Sequence, residues 1–106
     1  FLHTSPACFI VGSNASQGWV REEDSMNFAD VDASIVATHI MLAIQDEGLA
    51  TTWIGNFSPE KIKEVFPMME SYHLIAIFPV RYPEEDAKPS HLHTTRKSEE
   101  EFIETL

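Results

Sequence analysis

Two continuous apolar runs and one periodic run organise the chain. Ala7 to Gly12 is almost unbroken in apolar character and closes on Gly12, Ser13 and Asn14. A run of that length without polar alternation predicts a strand buried on both faces, inside a sheet, followed by a turn. His73 to Val80 repeats the pattern, with Leu74, Ile75, Ala76, Ile77 and Phe78 in succession. Pro79 has no N–H to give a ladder and places the end of this second strand at an edge or a bulge. Between the two, Ile35, Val36, His39, Ile40, Leu42 and Ala43 recur at three- and four-residue spacing. That spacing predicts a helix over 30–47, and the apolar residues on its remaining faces predict that it is buried. Asp30 and Asp32 suit the positive end of its dipole, and Gly48 supplies the left-handed residue that ends it.

Weaker signals fill the rest. Residues 13–29 are polar and irregular, with Trp19 as an aromatic anchor and a charged cluster from Arg21 to Asp24. The segment is longer than an ordinary connection, which suggests a function or a covering role. Leu49 to Ile54 reads as a short extended piece broken by Gly55. Ser58-Pro59-Glu60 is a helix start, with the hydroxyl as N-cap and proline at the first helical position. That helix carries Ile62 and Val65 on one face and stops near Pro67. Residues 83–89 form a charged, proline-bounded connector, and Ser98 to Leu106 suits a helical turn or an extended arm equally well. No internal repeat appears, and the order of elements describes one unit of mixed α and β structure over residues 1–106.

Composition narrows the partners. At 106 residues and 43% apolar side chains, the chain builds one core and has little left to enclose a large ligand without a second chain. A formal net charge of −10 repels nucleic acid and anionic membrane alike. Against that field, Arg96 and Lys97 stand together just before Glu99, Glu100 and Glu101, making a local positive spot and a candidate anion site. The single cysteine, Cys8, excludes an internal disulfide and is expected to be inert packing in a buried strand. With no run near the ~20 apolar residues of a membrane span, a soluble protein of the reducing cytoplasm is expected. The chain opens at Phe1 almost directly into a strand, as a piece cut from something longer would.

Other polar residues have ordinary readings. His91 and His93 are spaced to share one metal, but no cysteine or carboxylate offers a second matching spacing, so no native metal is expected. His39 on the apolar helix reads as a core histidine donating to a backbone group. Asp24, Asp30 and Asp32 read as caps and solvated face, with no acid–base pair among them.

One ordered set of residues goes further. Asp32-Ala33, Leu42-Ala43, Glu47-Gly48-Leu49, Thr51, Trp53-Ile54-Gly55, Phe57, Pro59-Glu60-Lys61, Tyr82-Pro83 and Arg96-Lys97 resemble, in order and spacing, the C-terminal half of FMN-dependent nitroreductases. Trp19, Arg21, Asp24 and Phe28 resemble the stretch that precedes the helix in that family. The resemblance implies an α+β fold with a mixed sheet and packed helices, and a homodimer whose C-terminal arms cross to the partner. It also implies FMN at the dimer interface, with Trp53, Ile54, Gly55 and Asn56 against the flavin and the Gly55 N–H directed at its N5. Arg96, supported by Lys97, would hold the phosphate, since a guanidinium fork suits a dianion. NAD(P)H would be the electron donor, and a nitro compound, quinone or related molecule the acceptor.

Departures from the family pattern set the alternatives. Nothing here corresponds to the family's N-terminal half, with its arginine-rich phosphate motif and its polar contacts to the flavin. Ala50, Thr52 and Arg81 stand where glycine, cysteine and glycine are common. Two functions therefore remain open: an FMN-dependent oxidoreductase completed by a homodimer or by a complementing N-terminal half, and a truncated, non-catalytic unit that folds or dimerises without flavin.

Overall fold

A computed structural model describes residues 2–106. Its sheet is built from β1 (Ala7–Ser13) and β2 (His73–Val80), paired antiparallel with Phe9 opposite Phe78 and Val11 opposite Ala76. A register shift between Val11 and Gly12 kinks β1 near its end. The long helix α1 (Ala29–Asp46) lies across both strands. The core forms where they meet, from Val11, Ala76 and Phe78 on the sheet and Ala33, Ala37 and Ile44 on the helix. Ala29, Ala33 and Ala37 recur every four residues on one face, and their small side chains let the helix sit close to the strands.

That choice of face corrects the sequence reading of α1. The buried stripe is the alanine row, while Ile35 and Val36, each 53% exposed, and Leu42, 59% exposed, point away from the sheet. The helix is covered on one side only, because this chain offers it a single layer to pack against. His39 likewise is exposed; its Nδ1 lies 2.9 Å from the Ile35 carbonyl oxygen, so the backbone contact is present but the core position is not. Gly48 ends the helix as expected, with φ of +71°.

The segment Leu49 to Ile54 runs antiparallel along the far side of β2, bridging Ala50 to Arg81 and Ile54 to Ile77. The register between those bridges sets Thr52 against Pro79, which has no N–H, so the ladder breaks there into two isolated pairs. β2 is therefore the central line of the sheet. Pro79 is fully buried, pairs with Cys8 and lies inside the strand, not at an edge. Only the final part of β1 is buried: Ala7, Cys8 and Phe9 are exposed. Cys8 is accordingly a free, exposed thiol, contrary to the packing role expected of it.

Helix α2 (Pro59–Val65) begins as read from the sequence, with the Ser58 hydroxyl accepting from the Lys61 N–H at 3.4 Å and proline in the first turn. It runs into a 3-10 turn at Pro67–Met69, and Val65 is exposed. Beyond β2 the chain changes character, since every residue from Tyr82 to Leu106 is exposed. This arm holds two short 3-10 turns, His91–His93 and Glu99–Glu101. The second carries a reciprocal capping box, in which Glu101 accepts from the Ser98 N–H at 3.0 Å. Turn and arm thus coexist where the sequence left a choice between them.

The overall dimensions exceed those of a compact chain. The radius of gyration is 16.8 Å, against about 13 Å for a compact chain of this length. The accessible surface is 8661 Å², against about 6,000 Å² for a compact monomer of this mass. No described helix is long and apolar enough to cross a membrane.

Candidate functional site

The segment from Trp53 to Asn56 is set by the central strand. Ile54 exchanges both backbone hydrogen bonds with Ile77, each at 3.0 Å, so the chain is pinned to β2 one residue before Gly55. Trp53 stands on the buried Phe78 ring, edge to face, with centroids 5.1 Å apart at 83°. It remains 39% exposed, so the indole presents a flat apolar surface held from beneath. Gly55 and Asn56 follow at the surface.

Gly55 is not strained: Gly48 is the glycine with positive φ among the described residues. A Cβ at Gly55 would meet only the edge of the Trp53 indole, 3.8 Å from Nε1. The space over this backbone is open, and the Gly55 N–H has no acceptor among the described residues. A pinned backbone, an unpaired donor and a half-exposed indole together make a surface against which a flat, hydrogen-bonding group could lie. Thr51 Oγ1, two residues upstream, is buried without a partner among the described residues. An unmet buried hydroxyl costs about 1–3 kcal/mol, so the segment is not fully satisfied by this chain.

Arg96 and Lys97 lie on the exposed arm. The Arg96 guanidinium donates to the carbonyls of Leu92 at 3.1 Å and Thr95 at 2.8 Å, both local. No hydrogen bond or ion pair joins Arg96 or Lys97 to Trp53–Asn56 among the described residues. Within one chain, then, the wall and the cationic pair are not joined by any polar contact among the described residues. Two surface recesses are lined by other residues. A shallow one of about 410 Å³ runs along α1 over Asp30, Ser34, Ile35 and Thr38, and a smaller one of about 240 Å³ sits at the root of the arm.

Two further clusters are built by the fold, and the sequence reading missed the first. The buried Ser13 hydroxyl donates to Asp30 at 2.5 Å, and His73 Nδ1 lies 3.0 Å from both carboxylate oxygens. Ser13 and His73 are register partners at the paired strand ends, so Asp30 clasps the first turn of α1 to the sheet instead of facing solvent as a simple cap. The Ser13 hydroxyl first, and then His73, hold the Asp30 carboxyl below the usual carboxylate range against the opposing effect of burial. The order is Ser–Asp–His with the carboxylate in the middle; the histidine is not placed to take the serine proton, so no nucleophile is activated here. No local motif announces three residues so far apart in sequence.

The second cluster orders the loop before α1. Arg21 makes a two-pronged contact with Asp24, its Nε at 2.8 Å and an Nη at 2.5 Å, and its guanidinium lies 5.4 Å from the centre of the Phe28 ring. Phe28 in turn packs on Trp19 at 5.1 Å. Arginine pairing holds Asp24 below its usual range. The anchor expected of Trp19 is thus a small stack, reinforced by backbone bonds from Arg21 to Met26 and from Phe28 to Trp19. No group of three or more histidine, cysteine or carboxylate side chains is placed to hold a metal among the described residues.

Comparison with known proteins bears on the same frame. A model of the Nitroreductase family matches residues 1–82. The chain is similar to the crystal structure of a nitroreductase family protein from Clostridium difficile 630, at 30% identity and a TM-score of 0.81, over 99% of this chain and 63% of that one. It is also similar to a nitroreductase family protein from Streptococcus pneumoniae TIGR4, at 26% identity and a TM-score of 0.62, over 81% of this chain and 41% of that one. The chain thus spans less than two thirds of the length of either solved relative. No curated protein sequence matches. The α+β class expected from the sequence is the class observed, and within this chain the strands pair antiparallel.

Proposed function

We propose, on the premise that this chain belongs to the nitroreductase family, that it contributes the flavin wall of an FMN-dependent oxidoreductase. That enzyme would use NAD(P)H to reduce nitro compounds, quinones or related acceptors. The observation that carries the reading is the reciprocal Ile54–Ile77 bond, which fixes an open glycine backbone beside the half-exposed Trp53 indole. When bound, FMN supplies two-electron transfer between nicotinamide and acceptor. The chain's own residues do the positioning. Trp53 and Ile54 form the apolar wall, Gly55 offers its N–H without a side chain in the way, and Asn56 adds a polar edge. Arg96, with Lys97 beside it, takes the phosphate through a bidentate, charge-assisted contact.

Because Arg96 and Lys97 sit on the exposed arm and make no polar contact with the wall within one chain, the complete site draws on a second copy or on a complementing N-terminal segment. The same separation favours a second reading, in which the unit folds and dimerises without flavin. Titration of the apo protein with FMN, followed by flavin fluorescence, decides between them. Binding that Gly55→Val lowers about tenfold or more, with an unchanged apo melting temperature, supports the flavin wall. Equal binding in both proteins removes Gly55 from the site, and no binding by wild type favours the non-catalytic unit.

A further inference from the structure

The root of the arm is held by one side chain. Arg81 follows directly on β2, and its backbone exchanges both hydrogen bonds with Ala50, at 2.8 and 3.1 Å, closing the last pair of the sheet. Its guanidinium, 20% exposed, spreads over three directions. One Nη donates to Thr4 Oγ1 at 2.9 Å, in the 3-10 turn Leu2–Thr4 that precedes β1. The other Nη pairs with the Glu84 carboxylate, and Nε reaches the Tyr82 carbonyl at 3.4 Å. Ala87 then donates to the Glu84 carbonyl at 3.0 Å, turning the connector. Four parts of the chain, the first turn, the Leu49–Ile54 segment, the end of β2 and the connector, meet at this residue.

From this geometry we infer that Arg81 is a positioning residue that sets the direction in which the arm leaves the body. Beyond Arg81 every residue is exposed, and the two 3-10 turns of the arm are held by contacts within the arm, so among the described polar contacts those of Arg81 tie its root to the body. A planar guanidinium with five fixed donors can hold Thr4 and Glu84 at once, whereas a lysine ammonium, a point charge on a flexible stem, favours one at a time. The consequence for function rests on the reading that the arm docks on a second chain: an arm leaving at a fixed angle presents Phe102, Ile103 and Arg96 with little entropy left to lose on docking.

Hydrogen exchange and sedimentation on the full chain test this directly. Arg81→Met is expected to speed exchange of the Ala87 amide about tenfold and to weaken self-association about tenfold, while α1 amides are unchanged. Arg81→Lys is expected to rescue only part of the loss. Thr4→Val is expected to speed exchange at Ala87 in wild type and to have no effect in the Arg81→Met background, because Arg81 carries the link between residues so far apart in sequence. Unchanged Ala87 exchange in Arg81→Met, or an equal Thr4→Val effect in both backgrounds, overturns the anchor. The dimer reading fails separately: if removal of residues 90–106 leaves sedimentation unchanged, the arm does not dock, and the exchange results still judge Arg81.

Discussion

The body and the arm of this chain are made of similar residues and behave in opposite ways. In the body, Val11, Ala76 and Phe78 vanish beneath an alanine face of α1. In the arm, Leu92, Phe102 and Ile103 are equally apolar and remain 55–64% exposed. Hydrophobicity alone therefore does not decide burial; a residue is buried when a second layer is within reach. For the sheet that layer is α1. For the outer face of α1 and for the arm no such layer is present among the described residues, and the excess of accessible surface over a compact monomer, on the order of 2,500 Å², is of the size that a stable protein interface covers.

The sharpest way to separate the two regions is to damage each core in turn. Phe78→Ala empties the centre of the body, where the ring is fully buried between the sheet and Trp53. A loss of about 3–5 kcal/mol is expected in urea denaturation. A loss below about 1 kcal/mol would mean that the body does not pack as a core.

The matching change in the arm acts on assembly. Replacing Phe102 and Ile103 together by serine leaves the stability of the body untouched, because both side chains are exposed within one chain. Docked on a second chain, each would contribute about 1.5–3 kcal/mol. The pair is therefore expected to weaken self-association at least 100-fold in sedimentation equilibrium. Wild-type affinity in the double variant would place the arm outside any interface and dissolve the comparison.

How much of this was legible in the sequence follows the same line. His73–Val80 was readable to the residue, because a strand flanked on both sides is apolar throughout. Ser58-Pro59 and Gly48 announced helix ends through local chemistry that needs no tertiary partner. The burial of α1 was misread because Ile35, Val36 and Leu42 face away from the one layer that packs on this helix, while the contact face is mostly small alanines closed by Ile44. Cys8 was misread for the same reason. At the candidate site, Trp53–Asn56 was singled out by its motif, and the fold pins this segment to β2 with Trp53 half-exposed. The Asp30 clasp and the Arg81 node could not be singled out, because each joins positions far apart that only the fold brings together.

The Asp30 clasp makes the stability of the body respond to pH. Its folded pKa is depressed by the Ser13 hydroxyl and by His73, so it lies below the unfolded value of about 3.9. The contribution is complete above that value and is lost as the pH falls through the folded one. The side chain is 53% exposed, so solvent screening limits the effect to about 1 kcal/mol. Asp30→Asn is expected to be less stable than wild type at pH 7, with the gap closing below about pH 4. A constant gap down to pH 2.5 would show that the carboxylate charge is irrelevant to the clasp.

The smallest expected effect distinguishes two glycines seven positions apart in the chain, Gly48 and Gly55, one serving the body and one its rim. Gly48 ends α1 at φ of +71° with open space around it, so Gly48→Ala meets no neighbour and is charged only the left-handed backbone, about 1 kcal/mol. Gly55 has no such φ, and an added methyl would touch nothing closer than the Trp53 indole at 3.8 Å. Gly55→Ala should then be neutral or stabilising by up to about 0.5–1 kcal/mol, through a less disordered unfolded chain. Thermal melts of the two apo variants read this directly, and a loss at Gly55 as large as at Gly48 would mean that its backbone is under a strain unrelated to any ligand. A stable Gly55→Ala protein leaves only one reason for the glycine at that position, which is what comes to lie over it.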